Sequence, residues 1–175
     1  MKTTRSRLRL KRSFFGRDSL TVARELLNKI VIFHDYQGII TETEAYRQEG
    51  DPACHAARGM TARNKTMFEK AGYSYVYLIY GMYFCWNIVT ESEGYGAAVL
   101  IRGINLTQPY KKHLNGPGKL CRELKISKQE DGVDLIDSQN FYILDNHPCH
   151  DYIITPRIGI KKGADLPWRF LSKEN

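Results

Sequence analysis

The sequence predicts an α+β fold: a single compact domain with a mixed, largely antiparallel curved sheet, flanking short helices and a protruding β-hairpin. Apolar segments of strand length outnumber the helical ones and mostly follow one another directly, which argues against a doubly wound nucleotide-binding fold. A run of thirteen residues, 75–87, holds six aromatic side chains and one glycine, as expected of two short strands. The 175 residues, 42% hydrophobic and 26% charged, are enough for one core.

A basic arm is predicted over residues 1–12, which hold six basic residues and no acidic one, and the domain over residues 13–175. The formal net charge of the whole chain is +7, which favours a polyanionic partner because each neutralised phosphate releases counterions. The arm lacks the apolar core of a secretory signal, and no stretch approaches 18 consecutive apolar residues. We therefore expect an intracellular protein, cytoplasmic and nucleoid-associated or nuclear, that is neither secreted nor inserted in a membrane.

The elements before the aromatic run are predicted from caps and periodicity. Ser19 is expected to cap a helix that extends to about Asn28 and buries Leu20, Ala23 and Leu27 on one face. The next predicted elements are a β-hairpin over 29–34 and 38–44, a polar loop over 47–61 and a short helix that ends at Gly72.

The aromatic run is predicted to form two strands that meet at a tip carrying Tyr80 and Met82. Gly81 between them can adopt a positive φ at little cost. Tyr75 and Tyr77 share one face, because side chains alternate along a strand. Flat, partly exposed rings in a basic protein can stack on nucleobases or insert between them. The alternative is a tyrosine-rich sheet edge packed into a core.

Beyond the aromatic run the sequence again predicts mostly strands. An apolar strand over 97–102 ends in a charge at Arg102. The glycine and proline residues at 116–118 are expected to open a helix over 119–125. Late strands are predicted over 141–144, 152–155 and 157–160.

Two carboxylates, Glu42 and Glu44, stand two residues apart near the end of one predicted strand and are expected on the same face. A buried pair of like charges raises the pKa of one member, whereas a nearby arginine favours the ionised form. Arg102, at the end of another apolar strand, is the candidate partner. A carboxylate that arginine keeps ionised can act as a general base toward water. The alternative is a solvent-facing pair in surface ion pairs.

Further polar residues are candidates for recognising a planar ring or a phosphate. His55, beside Tyr46 and Tyr77, could form one wall of a slot for such a ring, and Asn87 offers a donor and an acceptor to a base edge. The backbone N–H groups before Lys119 could bind a phosphate, although their spacing is not that of a Walker A loop.

The four cysteines fit neither a disulfide framework nor a metal site. No C-x-x-C pair occurs, and the nearest metal-like cluster is His147-Pro-Cys-His150. Without a secretion signal, we expect reduced, mostly buried thiols and no bound metal.

Taken together, these segments closely resemble the alkyladenine (3-methyladenine) DNA glycosylase family, over roughly residues 14–170. The resemblance implies a monofunctional DNA glycosylase of base excision repair, a hydrolase that needs no metal or cofactor. Such an enzyme flips an alkylated or deaminated purine out of double-stranded DNA and hydrolyses its N-glycosidic bond, leaving an abasic site. The implied bases are 3-methyladenine, 7-methylguanine, hypoxanthine and ethenoadenine. The stretches that carry the resemblance are Glu42-Thr-Glu-Ala-Tyr46, 53–58, 75–87, 98–102 and 116–121.

The resemblance also implies roles for individual residues. Glu44 would be the general base for the attacking water, which Arg102 and a main-chain carbonyl in the region of Ile158 and Ile160 would help to hold. No lysine stands among the catalytic residues carried over, which argues against a Schiff base and strand cleavage. The base pocket would comprise Tyr46, His55, Tyr77 and Asn87, with the first two facing Tyr77 across the base and Asn87 excluding guanine. The intercalating residues would be Tyr80 and Met82, and the DNA-backbone contacts Arg63 and Lys119.

The chain departs from the family pattern in three places. Trp86, directly before Asn87, is expected to alter the pocket wall; the segment between Arg102 and Gly116 is short; and the chain ends at Asn175, soon after Phe170. These departures affect the expected substrate range more than the reaction type.

Two other functions account for part of the sequence. A non-catalytic binder of single-stranded nucleic acid would use the charge and the tyrosines but not Glu44 or Arg102. A hydrolase of free nucleosides or RNA would not need Tyr80. We expect a monomer, because a self-contained domain of this size can cover one lesion.

Overall fold

Nine strands, all paired antiparallel, make up one sheet in the computed structural model, which describes residues 8–174. The predicted α+β class with a largely antiparallel sheet is confirmed. The strands are β1 (Ile30–Phe33), β2 (Tyr36–Arg47), β3 (Ser74–Ile79), β4 (Tyr83–Val89), β5 (Ala97–Gln108), β6 (Lys112–Asn115), β7 (Phe141–Leu144), β8 (Tyr152–Thr155) and β9 (Arg169–Ser172). The helices of this part of the chain are α1 (Arg12–Phe15), α2 (Ser19–Leu26) and α3 (Pro117–Leu124), with short 3-10 helices at Lys65–Phe68 and Lys128–Glu130.

The sheet is organised around β2. The strand order is β3-β4-β5-β2-β1-β7, with β6 beside β5 and β8 beside β9. One edge of β2 pairs with β5; the other pairs first with β1 and then, at Glu42 to Glu44, with β9. Register shifts on either side of Glu42 mark a bulge close to this change of neighbour. The bulge therefore lies at Glu42, and Glu44 follows it in regular pairing with β5.

Helix α2 covers one face of the sheet. Its buried residues include Val22, Ala23 and Leu26, which join the main hydrophobic core. Asp18, and not the predicted Ser19, is the N-cap: its carboxylate accepts from the Thr21 N–H at 3.0 Å. A carboxylate at this position also complements the helix dipole.

The predictions of both hairpins are confirmed, whereas the predicted late strand at 157–160 is wrong. β1 and β2 meet through a turn at residues 34–35, and β3 and β4 enclose a tip at residues 80–82. Residues 157–160 form no strand, because the N–H of Ile158 donates to a side chain, Glu44, and the Arg157 side chain is buried. The strand missed by the sequence is β9, whose few apolar residues are flanked by charges. The predicted helix ending at Gly72 is reduced to the 3-10 helix at Lys65–Phe68.

The last part of the predicted basic arm packs against the domain. Leu10 is buried, Arg9 forms a bridge with Leu144, and α1 begins at Arg12. The arm's first seven residues lie outside the described residues. No helix among residues 8–174 has both the length and the apolar character needed to cross a membrane.

Candidate active site

A cavity of about 590 Å³ opens beside the hairpin formed by β3 and β4. Its other walls come from the loop after β2, the N-terminal end of α3 and the segment 158–160. Tyrosines, leucine and isoleucines make most of its lining apolar, and polar groups converge at one end. Pockets of this size and character are the usual sites for small ligands.

Glu44 lies directly behind the wall of this cavity, with no exposed surface. Its Oε1 accepts from the N–H of Ile158 at 2.8 Å and lies 3.4 Å from Nε of Arg102. Its Oε2 accepts from the hydroxyl of Tyr46 at 2.7 Å. All three of these partners line the cavity, so the carboxylate is one residue removed from the cavity surface.

Burial dominates the ionisation of Glu44. Desolvation raises the pKa of this carboxyl above its ordinary value of 4.5, and it outweighs the opposing effects of the Arg102 charge and the Ile158 N–H. The smaller contribution of the Tyr46 hydroxyl also lowers this pKa. Glu44 therefore holds its proton more strongly than an exposed glutamate, which suits a group that must accept one near neutral pH.

Glu42 anchors the arginine that the sequence proposed as partner. Its Oε1 accepts from Nε of Arg102 at 2.9 Å and also from Nε of Arg169. With an exposed fraction of 7%, Glu42 is not the solvent-facing group of the alternative interpretation. Arg102 therefore lies between two carboxylates, with Glu42 fixing its orientation toward Glu44.

The aromatic residues meet at the apolar end of the cavity. The rings of His55 and Tyr77 pack edge to face with centroids 4.5 Å apart, so a base would fit between them only after one ring rotates. The predicted arrangement, in which Tyr46 and His55 face Tyr77 across the flipped base, concerns the complex with DNA and stays a prediction. Nδ1 of His55 lies 3.0 Å from the hydroxyl of Tyr75, a residue whose contact with the histidine the sequence did not reveal. Desolvation, helped by the charge of Arg63, lowers the pKa of His55 and keeps its ring neutral near pH 7.

Asn87 lines the cavity with a fixed amide. Its Nδ2 donates to the main-chain oxygens of Tyr75 and Cys85 at 3.2 and 3.3 Å, and the residue is 3% exposed. The expectation that Trp86 alters the pocket wall is wrong. Because side chains alternate along β4, Trp86 faces the opposite side of the sheet and packs on Phe141 with ring centroids 4.9 Å apart.

The hairpin tip projects beside the cavity mouth. Tyr80 is 77% exposed and Met82 66% exposed, as the sequence predicted. The N–H of Met82 donates to the carbonyl of Ile79 at 3.2 Å, which closes the turn. Tyr80 itself has a φ of 53°, an uncommon value for a residue other than glycine and one that costs conformational free energy.

The predicted DNA-backbone residues have different surroundings. Lys119 lines the cavity at the start of α3, and its Nζ donates to the Asn115 side chain at 3.1 Å. Arg63 instead supports the hairpin from outside, donating to the carbonyl of Leu78 at 3.0 Å. Ile160 lines the cavity together with Ile158, whose N–H rather than its carbonyl is the group in contact with Glu44.

The sequence did not predict a buried ion pair between Arg157 and Asp51. Arg157 bonds through both terminal nitrogens to the Asp51 carboxylate, each at 2.7 Å, and both side chains are fully buried. Asp51 stands in a polar loop and Arg157 in a predicted strand, 106 positions later, so nothing local in either segment signals the contact. Within residues 8–174 no group of three histidine, cysteine or carboxylate side chains is arranged to hold a metal ion.

The family model and the relatives that match this chain carry related names. A family model described as Methylpurine-DNA glycosylase matches residues 13–175. Several relatives carry the name "Putative 3-methyladenine DNA glycosylase". The relative from Sodalis glossinidius is 57% identical over 163 residues, 93% of this chain and 96% of its own. Those from Wolbachia pipientis subsp. Culex pipiens and Ehrlichia chaffeensis are 55% and 54% identical; each alignment covers 93% of this chain, and 89% and 92% of the relatives.

Proposed function

The chain belongs to the methylpurine-DNA glycosylase family, hydrolases of N-glycosidic bonds in DNA, and on that premise we propose that it is a monofunctional base-excision repair enzyme acting as a monomer. It flips an alkylated or deaminated purine out of duplex DNA and releases the base, leaving an abasic site. Its proposed substrates are 3-methyladenine, 7-methylguanine, hypoxanthine and ethenoadenine.

The observation that carries this proposal is the junction of Glu44 with the aromatic cavity. The carboxylate accepts from Tyr46 and Ile158 and lies 3.4 Å from Nε of Arg102, and all three of these residues line the cavity. A water molecule bound to Arg102 would therefore be within reach of Glu44. This arrangement supports hydrolysis more directly than simple stacking of bases, which needs no buried carboxylate.

The proposed reaction follows from glycoside chemistry. The water oxygen bonds to C1′ of the deoxyribose while the bond from C1′ to the base nitrogen breaks, its electron pair leaving with the base. The sugar is oxocarbenium-like in the transition state, and the negative charge of Glu44 stabilises it while accepting a proton from the water. A main-chain carbonyl in the region of Ile158 and Ile160 is proposed to hold the same water.

Base flipping is assigned to the hairpin tip. Extruding a base costs a few kcal/mol of unstacking, least for a damaged or mispaired base. Tyr80 is proposed to fill the vacated space in the duplex, with Met82 beside it; their exposure supports this role. Arg63 and Lys119 are proposed to contact the DNA backbone.

Recognition of the base is assigned to the cavity walls. Stacking on an aromatic face contributes about 1–3 kcal/mol per base and tolerates many purines. Tyr46, His55 and Tyr77 are proposed to supply these faces after one ring rotates, and cationic alkylated purines gain an additional cation–π attraction to the tyrosines. Asn87, whose amide is fixed by two main-chain acceptors, is proposed to exclude the 2-amino group of guanine.

The deciding experiment is single-turnover base release from duplex oligonucleotides, each with one of the four lesions, for wild type and Glu44→Gln. We expect wild type to release at least one lesion base and Glu44→Gln to be slower by about 10²- to 10⁴-fold, the usual contribution of a general base, with binding retained. Equal rates would remove Glu44 as the base. Binding without cleavage by either protein would instead favour the non-catalytic binder.

Whether the enzyme also cleaves the DNA strand through a Schiff base can be tested in the same reactions. Borohydride would trap a Schiff base between an enzyme amine and the abasic sugar, and Lys119 is the lysine among the lining residues of the cavity. We expect no covalent adduct; a trapped adduct would contradict the proposal.

A further inference from the structure

The buried pair of Arg157 and Asp51 joins three segments that lie near Glu44. Besides the two bonds to Asp51, Nη1 of Arg157 donates to the carbonyl of Ala45 at 2.9 Å. Ala45 stands between Glu44 and Tyr46 on β2. Nη2 also donates to the carbonyl of Gly163 at 3.3 Å. One guanidinium thus joins β2, the loop that begins at Asp51 and the segment 157–163.

The loop that begins at Asp51 leads to the pocket histidine. Oδ1 of Asp51 accepts from the N–H of Ala53 at 3.1 Å, and the N–H of Cys54 donates to the main-chain oxygen of Asp51 at 3.1 Å. These bonds fix the turn directly before His55, which lines the cavity. The position of the His55 loop relative to β2 therefore depends on the same ion pair.

Arg157 also contacts the ring of a residue that bonds to Glu44. The centre of its guanidinium lies 4.5 Å from the centroid of the Tyr46 ring and 5.1 Å from that of Trp168. The Tyr46 hydroxyl is the donor to Oε2 of Glu44. A cation–π contact of this kind fixes the plane of the tyrosine ring and hence the direction of its hydroxyl.

The residue after Arg157 supplies the second donor. Because the Arg157 side chain is bonded to the carbonyl of Ala45, the backbone at Ile158 is held beside β2, and its N–H reaches Oε1 of Glu44 at 2.8 Å. The Ile158 residue itself is 49% exposed, so burial of its own side chain does little to hold it there. The ion pair is the stronger anchor.

We propose that Arg157 and Asp51 are positioning residues for the hydrolysis, which hold the Ile158 N–H and the Tyr46 hydroxyl on the two oxygens of Glu44. This inference rests on the proposed glycosylase function and adds two residues to it that never touch the base or the water. Arg157 and Asp51 do not line the cavity.

The proposal has a consequence for the pH dependence of base release. Both donors lower the pKa of Glu44 against the larger effect of burial, so loosening them raises that pKa further. The base then ionises at higher pH, and the acid limb of the rate profile moves in the same direction. The charged and titratable groups that face Glu44 are Glu42 and Tyr46 of β2, Cys85 of β4, Arg102 of β5, Arg169 of β9, and Arg157.

The test must separate positioning from simple stability. Removing one partner leaves a buried uncompensated charge, whereas removing both can be neutral for stability. The informative variant is therefore the double substitution Asp51→Asn with Arg157→Met, which has no net buried charge but lacks the bonds to the carbonyls of Ala45 and Gly163. Arg157→Lys is the conservative companion, since it keeps the charge but not the forked geometry.

Single-turnover base release at saturating enzyme is measured from pH 5 to pH 9 for wild type, these variants and Arg47→Met, alongside thermal unfolding. Arg47 is the matched control, because it lies 5.2 Å from the same Trp168 ring but pairs at the surface with Asp18. We expect the folded variants of the pair to lose about 10- to 100-fold in maximal rate, as for other residues that orient a reacting group. Their acid limb should move to higher pH with little change in half-saturation, and Arg47→Met should match wild type.

Each outcome decides something different. A folded double variant with the wild-type maximal rate and acid limb overturns the positioning role. A wild type that releases no base overturns the proposed function, and the positioning role with it. If neither variant folds, amide hydrogen exchange in wild type decides, because the proposal requires a protected Ile158 amide and rapid exchange there contradicts it.

Discussion

The buried carboxylate site around Glu44, behind the cavity wall, is called the floor below. The floor and the tip of the hairpin at residues 80–82 are both assigned to one reaction, but they are built in opposite ways. At the floor, Glu44 is fully buried and each of its oxygens accepts at least one hydrogen bond. At the tip, Tyr80 and Met82 are mostly exposed. A general base must be fixed before the substrate arrives, whereas a wedge makes its contacts only with the partner.

The two regions also differ in the source of their unfavourable free energy. At the floor it comes from desolvation of Glu44, which raises the pKa of that carboxyl. At the tip it comes from the backbone, because Tyr80 has a φ of 53°. A change at the floor should therefore alter the chemistry of base release, whereas a change at the tip should alter the engagement of duplex DNA and leave the chemistry unchanged.

Tyr80→Ala gives the largest expected effect of those that test this separation. Loss of the wedge should slow base release from a fully paired duplex by about 10- to 100-fold, because the vacated space is no longer filled and the base returns. Release of the same base from single-stranded DNA should change little, since no duplex has to be opened. Stability should also be unchanged, as the side chain is 77% exposed.

The measurement is single-turnover release from the two DNA forms, with Met60→Ala as the control for removal of another exposed side chain, 60% exposed. Equal losses on duplex and single strand would place Tyr80 with the chemistry and break the contrast between the two regions.

Replacing one glycine by alanine in each region, Gly96 near the pocket and Gly81 at the tip, compares how tightly the two backbones are constrained. At Gly96, beside the His55 loop, an added Cβ would lie 2.3 Å from Cβ of Ala56 and 2.8 Å from the Phe68 ring. At Gly81, with a φ of 68°, nothing lies within 4 Å. We expect Gly96→Ala to destabilise by about 1–3 kcal/mol through overpacking and Gly81→Ala by about 1 kcal/mol through backbone strain.

Urea unfolding measures both free energies, and base release should follow the same division. Gly96→Ala should slow release even from single-stranded DNA, because it displaces the pocket loop, while Gly81→Ala should affect the duplex alone. The reverse order of stabilities would mean that the tip is held more tightly than its exposure indicates.

Glu44→Gln should stabilise the fold, the smallest of these effects. The pKa of Glu44 is raised in the folded state, so the folded protein binds this proton more strongly than the unfolded chain does. Stability from this group is therefore present at low pH and is lost as the pH rises from the ordinary value of 4.5 through the raised one. At pH 7 the neutral amide should therefore raise the free energy of unfolding slightly, and at pH 4 it should change it little.

Urea titrations at the two pH values check this sign, with Glu42→Gln as the companion. Glu42 bonds to two arginines, so its loss should destabilise. A Glu44→Gln protein less stable than wild type at pH 7 would show that its hydrogen bonds outweigh its desolvation.

The sequence predicted those features that depend on neighbouring residues in the chain. Alternation and Gly81 predicted the hairpin and its exposed tip, and the spacing of Glu42 and Glu44 placed both on one strand with Arg102 as partner. The same alternation, applied to β4, would have placed Trp86 away from the cavity. The error came from considering neighbours in sequence rather than faces of the strand.

What could not be predicted depends on contacts between distant segments. Arg157 and Asp51 meet only because β2 and the segment before β9 are brought together by the sheet. β9 itself carries too few apolar residues to show alternation. The closed arrangement of His55 and Tyr77 depends on side-chain rotation, which sequence spacing does not report.

Because β9 pairs with β2, the site around Glu42 and Glu44 combines residues that are synthesised at different times. Residues 42–102 supply the glutamates, most of the aromatic residues of the cavity and the hairpin tip, together with Tyr46 and Arg102, the first partners of Glu44. Ile158 and Arg169, which bond to Glu44 and Glu42, are translated later. A nascent chain therefore carries the aromatic wedge before these two partners can complete the hydrogen bonding of its carboxylates.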